Sequence, residues 1–389
     1  MNICFVTDHP FSERNGKFYS GGGVPGSMLE RYMREGSSLI VIGRKSEKNN
    51  ETLSSIPNAE FHLLRNYRRP QDLYIKYCAL KKEIASLIER VDGVVIRVPS
   101  GLAVLSVKIC NKLQKPYAIE VCGSAFDSLW NHGSIAGKML APFSQYSARK
   151  IVREADYVLY VSHAFLQKEY PPKPGAVMVA CSNVALPGNI SNDILKERIE
   201  RIETKEGDNI VLGQIGNLSV RYKGYHVVLK ALQILKSSPY NFVYELVGGG
   251  SEDEILKQAK ELGVEKSIVI RGRMDHKNIP DFMKCVDIYL HPSLTEGLPR
   301  VVVEAISNAV PCLVSSAGGT AELVPQEWVH KPGDYKKLAA DLLKMAGSNE
   351  LMKKAAITNF EKGKEFYPEV LNIRRAEYYN KFFKILKSS

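Results

Sequence analysis

Residues 287–324 read DIYLHPSLTEGLPRVVVEAISNAVPCLVSSAGGTAELV, and the order of residue types along this stretch decides the fold class. Asp287 to His291 is a short apolar run closed by Pro292, which suits a buried strand. Pro292 to Leu298 is a polar loop containing Gly297. Pro299 then stands where a first helical residue tolerates proline best, because the N–H it lacks has no partner inside the helix. Arg300 to Asn308 reads as a helix and Val310 to Ser315 as a second buried strand. A strand, a loop and a helix start make an anion site, since free backbone N–H groups and the helix dipole point into the loop. Two carboxylates, Glu296 and Glu304, stand around that loop. One acid near a helix start merely favours the dipole. Two of them around a Gly-Leu-Pro turn, followed by Gly318-Gly319, point to a binding site.

The same alternation extends on both sides. Upstream, Ile210 to Ile215, Phe242 to Val247 and Ile268 to Arg271 read as strands, and His226 to Lys236, Ile255 to Leu262 and Ile279 to Lys284 as helices. Three loops between them carry glycine: Gly216 to Gly224 with Arg221 and Lys223, Gly248-Gly249-Gly250, and Gly272-Arg273-Met274. Downstream, Asp334 to Met345, Leu351 to Phe366 and Val370 to Leu386 are helical in pattern. In the first half, Asn2 to Thr7, Leu39 to Gly43, Val94 to Val98, Tyr117 to Val121, Tyr157 to Val161 and Val177 to Ala180 read as strands. Leu73 to Val91 and Ala103 to Leu113 read as helices. Strand and helix alternate throughout, as a parallel sheet requires. The polar stretch 187–208 is the best boundary, giving domains 1–190 and 191–368.

Some first-half residues invite function. Gly22 and Gly23 precede a helix through Met28, Leu29 and Tyr32, and glycines there allow close backbone approach to a phosphate. Arg97 inside VVIRV marks either a strand end at a cleft, where it would face a substrate, or a buried ion pair. The loop from Cys122 to Gly133 offers Phe126 and Trp130 as flat apolar faces, and Asp127, Asn131 and His132 as hydrogen-bonding groups. Loops at the carboxyl ends of parallel strands are where open α/β sheets bind ligands.

At 389 residues, 44% hydrophobic and 24% charged, the chain has the length and composition of a two-domain soluble protein. No apolar run is long enough to span a membrane, and the start MNICFVTDHP lacks the pattern of a signal peptide, so a cytoplasmic location is expected. The seven cysteines are scattered without a C-x-x-C pair, which argues against zinc or a disulfide framework. The net charge of +11 favours anionic partners. No nucleic-acid motif is visible. Arg65, Arg68, Arg69, Lys76, Lys81 and Lys82 form a basic cluster that suits either solvent or an anionic membrane surface.

Glu296-Gly-Leu-Pro-Arg-Val-Val-Val-Glu304, with its HPS, AVPCLV and GG-x-x-E flanks, resembles the Glu-x7-Glu signature of retaining glycosyltransferases of family 4. The resemblance is firm over about residues 210–329 and looser before. It implies the GT-B fold: two Rossmann-like domains facing across a cleft, with the last helix, 369–389, crossing back to the first domain. It implies a metal-independent enzyme without a cofactor, moving a sugar from a nucleotide sugar, UDP- favoured over GDP-, to an acceptor hydroxyl. The acceptor would be a glycan or lipid-linked glycan, with peripheral contact to an anionic membrane and use in cell-surface polysaccharide synthesis. Lys223-Gly224 matches the family's Lys-Gly, but Asn217 occupies the usual place of its arginine, which leaves Arg221 as the second cation. Catalytic roles thus fall to Glu296, Lys223 and Arg221. Glu304 would bind the ribose, and Gly297, Leu298, Gly22, Gly23, Gly249 and Arg273 the rest of the donor. Val121-Cys122-Gly123 stands where many members carry a histidine, so Asp127 and His132 are the candidates to act in its stead, Asp127 in catalysis, with Arg97 and His132 at the acceptor. The rival readings are a nucleotide-sugar epimerase of the same fold and an inactive nucleotide-sugar-binding scaffold.

Overall fold

The computed structural model describes residues 1–64, 77–131, 135–188 and 190–388. They form two compact units. The first comprises Met1–Val161, Leu166–Cys181 and Ile373–Ser389, and the second Ser162–Phe165 and Ser182–Asn372.

In the first unit the strands are β1 (Asn2–Arg14), β2 (Lys17–Ser20), β3 (Ser38–Lys45), β4 (Thr52–Leu53), β5 (Ala59–Leu64), β6 (Gly93–Val98), β7 (Tyr117–Val121), β8 (Tyr157–Tyr160) and β9 (Val177–Ala180). A parallel run in the order β5-β3-β1-β6-β7-β8-β9 forms the sheet. Its central strands are apolar on both faces, and Ile3, Phe5, Val94, Val95, Ala118 and Ile119 are fully buried. The expectation of a purely parallel sheet fails at one edge. The first strand does not stop at Thr7, as expected: β1 continues to Arg14 and turns back into β2, on which β4 also pairs, both antiparallel. Asn15 and Gly16, at φ +51° and +70°, make the two-residue turn, so the Asn-Gly signal for a tight hairpin was present in the sequence.

The first unit's helices include α1 (Gly26–Leu29), a single turn, and α2 (Tyr77–Glu89), the described part of the helix expected from Leu73. They continue with α3 (Gly101–Leu113), α4 (Ala125–Trp130), α5 (Ile135–Glu154) and α6 (Phe165–Glu169). The stretch from Cys122 to Gly133, read as a ligand-binding loop after β7, is therefore helical from Ala125 to Trp130. Ser124 caps it by accepting the N–H of Asp127 at 3.1 Å. From Ile373 onward the last helix of the chain belongs to the first unit. There the Phe382 ring meets Tyr157 at 5.2 Å and Leu386 lies over Gly93, so the expected return of this helix to the first domain is observed.

The second unit opens with α7 (Asp193–Glu203), a helix in the stretch read as a polar boundary. Its charges hide a specific latch: buried Arg198 donates to the carbonyls of Val286 and Met283 at 2.6 and 2.7 Å. The strands β10 (Asn209–Ile215), β11 (Asn241–Val247), β12 (Ile268–Gly272), β13 (Ile288–His291), β14 (Cys312–Ser315) and β15 (Val329–His330) are all parallel, in the order β12-β11-β10-β13-β14-β15. Helices α8 (Tyr225–Leu235), α9 (Asp253–Leu262), α10 (Ile279–Cys285), α11 (Arg300–Ser307), α12 (Tyr335–Ala346) and α13 (Asn349–Gly363) follow, and α14 (Pro368–Ser388) ends the chain. This strand order is that of a doubly wound sheet, and its direction reverses between β10 and β13. Among the described residues no helix is long and apolar enough to cross a membrane.

Candidate active site

Where β10 and β13 lie side by side, the connections leave in opposite directions and open a crevice beyond their carboxyl ends. The loops after these two strands are Gly216–Gly224 and Pro292–Pro299, and they are locked together. Leu294 donates its N–H to the Tyr222 carbonyl at 2.7 Å. Gly224 sits at φ +78°, and a Cβ there would lie 2.1 Å from the Pro292 carbonyl oxygen, so only glycine lets the loops meet. The result is an ion pair across the switch point: Lys223 Nζ donates to Glu296 Oε1 at 2.7 Å.

Glu296 is the hub of this cluster. Besides Lys223 it accepts the Ser293 hydroxyl at 2.9 Å and His291 Nε2 at 3.0 Å. A carboxylate only accepts, which assigns the imidazole hydrogen to Nε2. His291 is fully buried and its Nδ1 has no partner among the described residues. A second proton would put an unsatisfied N–H inside the protein, and burial accordingly lowers the pKa of His291 and keeps it neutral. Burial alone would push the Glu296 carboxyl up, but the hydrogen bond from His291 and the charge of Lys223 outweigh it. They hold the group well below the usual carboxylate range. The site thus keeps a fixed negative charge beside a fixed positive one.

The rest of the stretch is built around this hub. Gly318, at φ +59°, could not carry a Cβ, which would fall 1.9 Å from the Glu296 carbonyl oxygen. Gly319 donates its N–H to the Gly297 carbonyl at 2.7 Å. Leu298 is buried beneath the turn. Pro299 is not the first helical residue, as its sequence position suggests; it caps α11 in an extended conformation. Glu304, midway along α11, accepts His276 Nε2 at 3.2 Å from the loop after β12, and this hydrogen bond raises the pKa of His276. Glu322 receives the backbone N–H groups of His163, Ala164 and Phe165 at 2.7, 3.1 and 2.5 Å, holding that segment in the second unit.

The second cation does not join Lys223. The Arg221 side chain is exposed, makes no hydrogen bond or ion pair among the described residues, and lines a separate cavity of about 500 Å³ with Ser219, His226 and Glu254. The triple-glycine turn packs on the loop after β10: a Cβ at Gly248 would lie 1.7 Å from the Gly216 carbonyl oxygen, while one at Gly249 would meet nothing within 4 Å. Arg273 is exposed just beyond β12.

In the first unit, Gly22 has φ +90°, and Gly23 lies against the His9 ring, which would be 2.7 Å from a Cβ. Asp127 is half-buried on α4. His132, Arg65, Arg68, Arg69 and Lys76 lie outside the described residues, and Lys81 and Lys82 are exposed on α2. The substrate-facing role expected for Arg97 is corrected. Its guanidinium forms a buried ion pair with Glu120 at 3.0 Å, and Glu120 also accepts the hydroxyls of Tyr32 and Tyr379 at 2.8 and 2.7 Å. That network ties the last helix to β7, and Arg97 is committed to it. Three site residues had escaped individual assignment: His291, Ser293 and His276. The first two belong to the HPS flank, where a histidine ending an apolar strand was the available signal. Nothing local marks His276.

Residues 196–361 match the family described as Glycosyl transferases group 1. The chain is 34% identical over 342 residues to Protein CapJ of Staphylococcus aureus, covering 87% of this chain and 84% of CapJ. It is 23% identical over 168 residues to the capsular polysaccharide biosynthesis glycosyltransferase CapM of the same organism, 42% of each chain. Among solved structures, Anabaena HepE in complex with UDP superposes with a TM-score of 0.69 at 17% identity, over 98% of this chain and 100% of HepE. The chain is a glycosyltransferase with the GT-B fold and belongs to the glycosyl transferases group 1 family.

Proposed function

We propose that this glycosyltransferase acts with retention of configuration, as its resemblance to family 4 implies. It takes a sugar from a UDP-sugar and joins it to a hydroxyl of a glycan or lipid-linked glycan, in the synthesis of a capsule, exopolysaccharide or lipopolysaccharide. The observation that carries this reading is the Lys223–Glu296 pair at the switch point of the second sheet. Breaking the donor's glycosidic bond leaves negative charge on the diphosphate, and a cation already fixed in place stabilises that charge without reorganising. The amides at the start of α11 face the same loop and act in the same sense. With these groups the reaction needs neither a divalent metal nor a cofactor. Glu304 holds the ribose hydroxyls in exchange for His276, and Glu296, kept ionised, accepts hydroxyls of the transferred sugar. Arg221, Arg273 and the Gly22-Gly23 loop are further contacts for the donor, with Asp127 serving in the first unit, which binds the acceptor. Capsular CapM and UDP-bound HepE support the polysaccharide role and the uridine nucleotide. A lipid-linked acceptor puts the enzyme peripherally on the inner face of the cell membrane.

Thermal stabilisation by a panel of nucleotides with EDTA present tests this. A ligand at 100 times its Kd adds about 2.7 kcal/mol to the native state. UDP is expected to raise the midpoint of the wild type, and each of Lys223→Ala and Glu304→Ala, measured against its own baseline, to lose the shift. If no nucleotide binds without metal, the reading is wrong. Isomerised donor formed in the absence of an acceptor would indicate an epimerase instead.

A further inference from the structure

Helix α5 is packed inside out. Up to Ala148 the face it turns to the first unit is made of small or polar residues, Gly137, Ala141, Gln145 and Ala148, and only at its end does it bury larger apolar ones, Ile151 and Val152. The opposite face carries its largest apolar side chains. Ile135 is 81% exposed, Met139 70%, Phe143 71% and Tyr146 70%. These four positions are spaced by four, four and three residues, so they form one stripe along the helix, and the same stripe continues through Lys150 and Arg153, both exposed. Trp130, 44% exposed at the end of α4, lies beside the start of this stripe with Lys138 5.8 Å from its ring. A soluble protein leaves single apolar residues in water without consequence, but a contiguous row of four large ones marks an interaction surface.

We propose that this face of α5 is the surface by which the protein lies on an anionic lipid bilayer. Charge selects the occupant. The one acidic residue of α5 is Glu154 at its end, and its cations are Lys138, Arg149, Lys150 and Arg153. Arg149 is engaged by Glu169, which leaves Lys138, Lys150 and Arg153 for lipid headgroups. Large apolar side chains backed by lysine and arginine, with aromatic rings that sit comfortably at headgroup depth, are the composition of a helix lying in the membrane interface. As far as Ala148 the helix buries its small side and keeps its large side for the lipid. The proposal rests on the peripheral placement given above and identifies the surface responsible.

The test is flotation of the full chain with phosphatidylcholine vesicles, with and without phosphatidylglycerol, at low and high salt. The wild type is expected to float with the anionic vesicles and to be released in part by salt. The triple variant Met139→Ser/Phe143→Ser/Tyr146→Ser should remain in solution. Lys150→Glu/Arg153→Glu should lose binding at least about fivefold per charge, the equivalent of roughly 1 kcal/mol for each cation. UDP-dependent thermal stabilisation of each variant, measured in parallel, reports folding and donor binding separately. Loss of that stabilisation in the wild type sinks the donor reading and leaves the lipid surface standing. A wild type that ignores anionic vesicles, or a triple variant that binds them undiminished, overturns the proposal. So does a concentration-dependent dimer that the triple variant abolishes, since the face would then join two copies of the chain.

Discussion

Lys223→Met keeps the apolar stem of the lysine and removes its charge, which isolates the contribution of the ion pair with Glu296. At 2.7 Å and an effective dielectric constant near 20, the bare attraction is about 6 kcal/mol. Both side chains are mostly buried, 17% and 13% exposed, so much of that attraction offsets the loss of hydration. The variant leaves an uncompensated carboxylate, and breaking a buried pair in this way costs about 3–5 kcal/mol. Ser293 and His291 still donate to Glu296, which puts the expected loss near the lower end, about 3 kcal/mol. For a unit of this size that is a fall of roughly 6–12 °C in Tm. The pH dependence has a definite sign. Because the folded protein depresses the pKa of Glu296, the pair's contribution is complete above the ordinary carboxylate value of 4.5 and fades as pH falls through the depressed one. In Lys223→Met the carboxyl takes up a proton more easily, so the deficit is largest at neutral pH and shrinks in acid. Urea denaturation of the wild type, Lys223→Met, Glu296→Gln and the double variant measures the coupling directly, with about 2 kcal/mol expected. Effects that add to within about 0.5 kcal/mol, or a deficit that does not shrink with falling pH, would refute this account.

Two glycines of the same site should answer differently to one methyl group. Gly318→Ala forces a left-handed residue to carry a Cβ 1.9 Å from a backbone oxygen and should cost about 3 kcal/mol or more, whereas Gly249→Ala, with open space around it, should stay within about 1 kcal/mol of the wild type by calorimetry. His330 is buried with neither ring nitrogen partnered among the described residues, and burial pushes its pKa down to about 4 from 6.5. Protonation therefore favours the unfolded chain. Between pH 7 and pH 5 this residue should withdraw about 2 kcal/mol of stability, a loss that His330→Leu removes and that urea titrations at the two pH values would detect.

Much of the second unit was legible because its information is local. Apolar runs closed by Gly and Pro marked β10 to β14, and the loop around Glu296 declared itself through two acids, a Gly-Leu-Pro turn and the Gly318-Gly319 pair. The first unit was harder to read. Its Asn15-Gly16 turn was a local signal that went unused, and β4 and β5 are too short or too mixed in polarity to stand out. In α7 the charged sequence DILKERIERIE disguised a packed helix, since the carbonyls that make Arg198 a buried anchor come from residues more than eighty positions away.

The sequence by itself determined the alternation of strand and helix, the family resemblance, and the carboxylates and lysine of the site, because periodicity and turn chemistry are properties of neighbouring residues. The tertiary structure alone decided partners. It paired Lys223 with Glu296, gave Arg97 to Glu120 and the last helix rather than to a substrate, set Arg221 apart, and turned the large side of α5 to solvent. Each of these outcomes depends on which distant segments the parallel strand order brings side by side, and no local pattern carries that information.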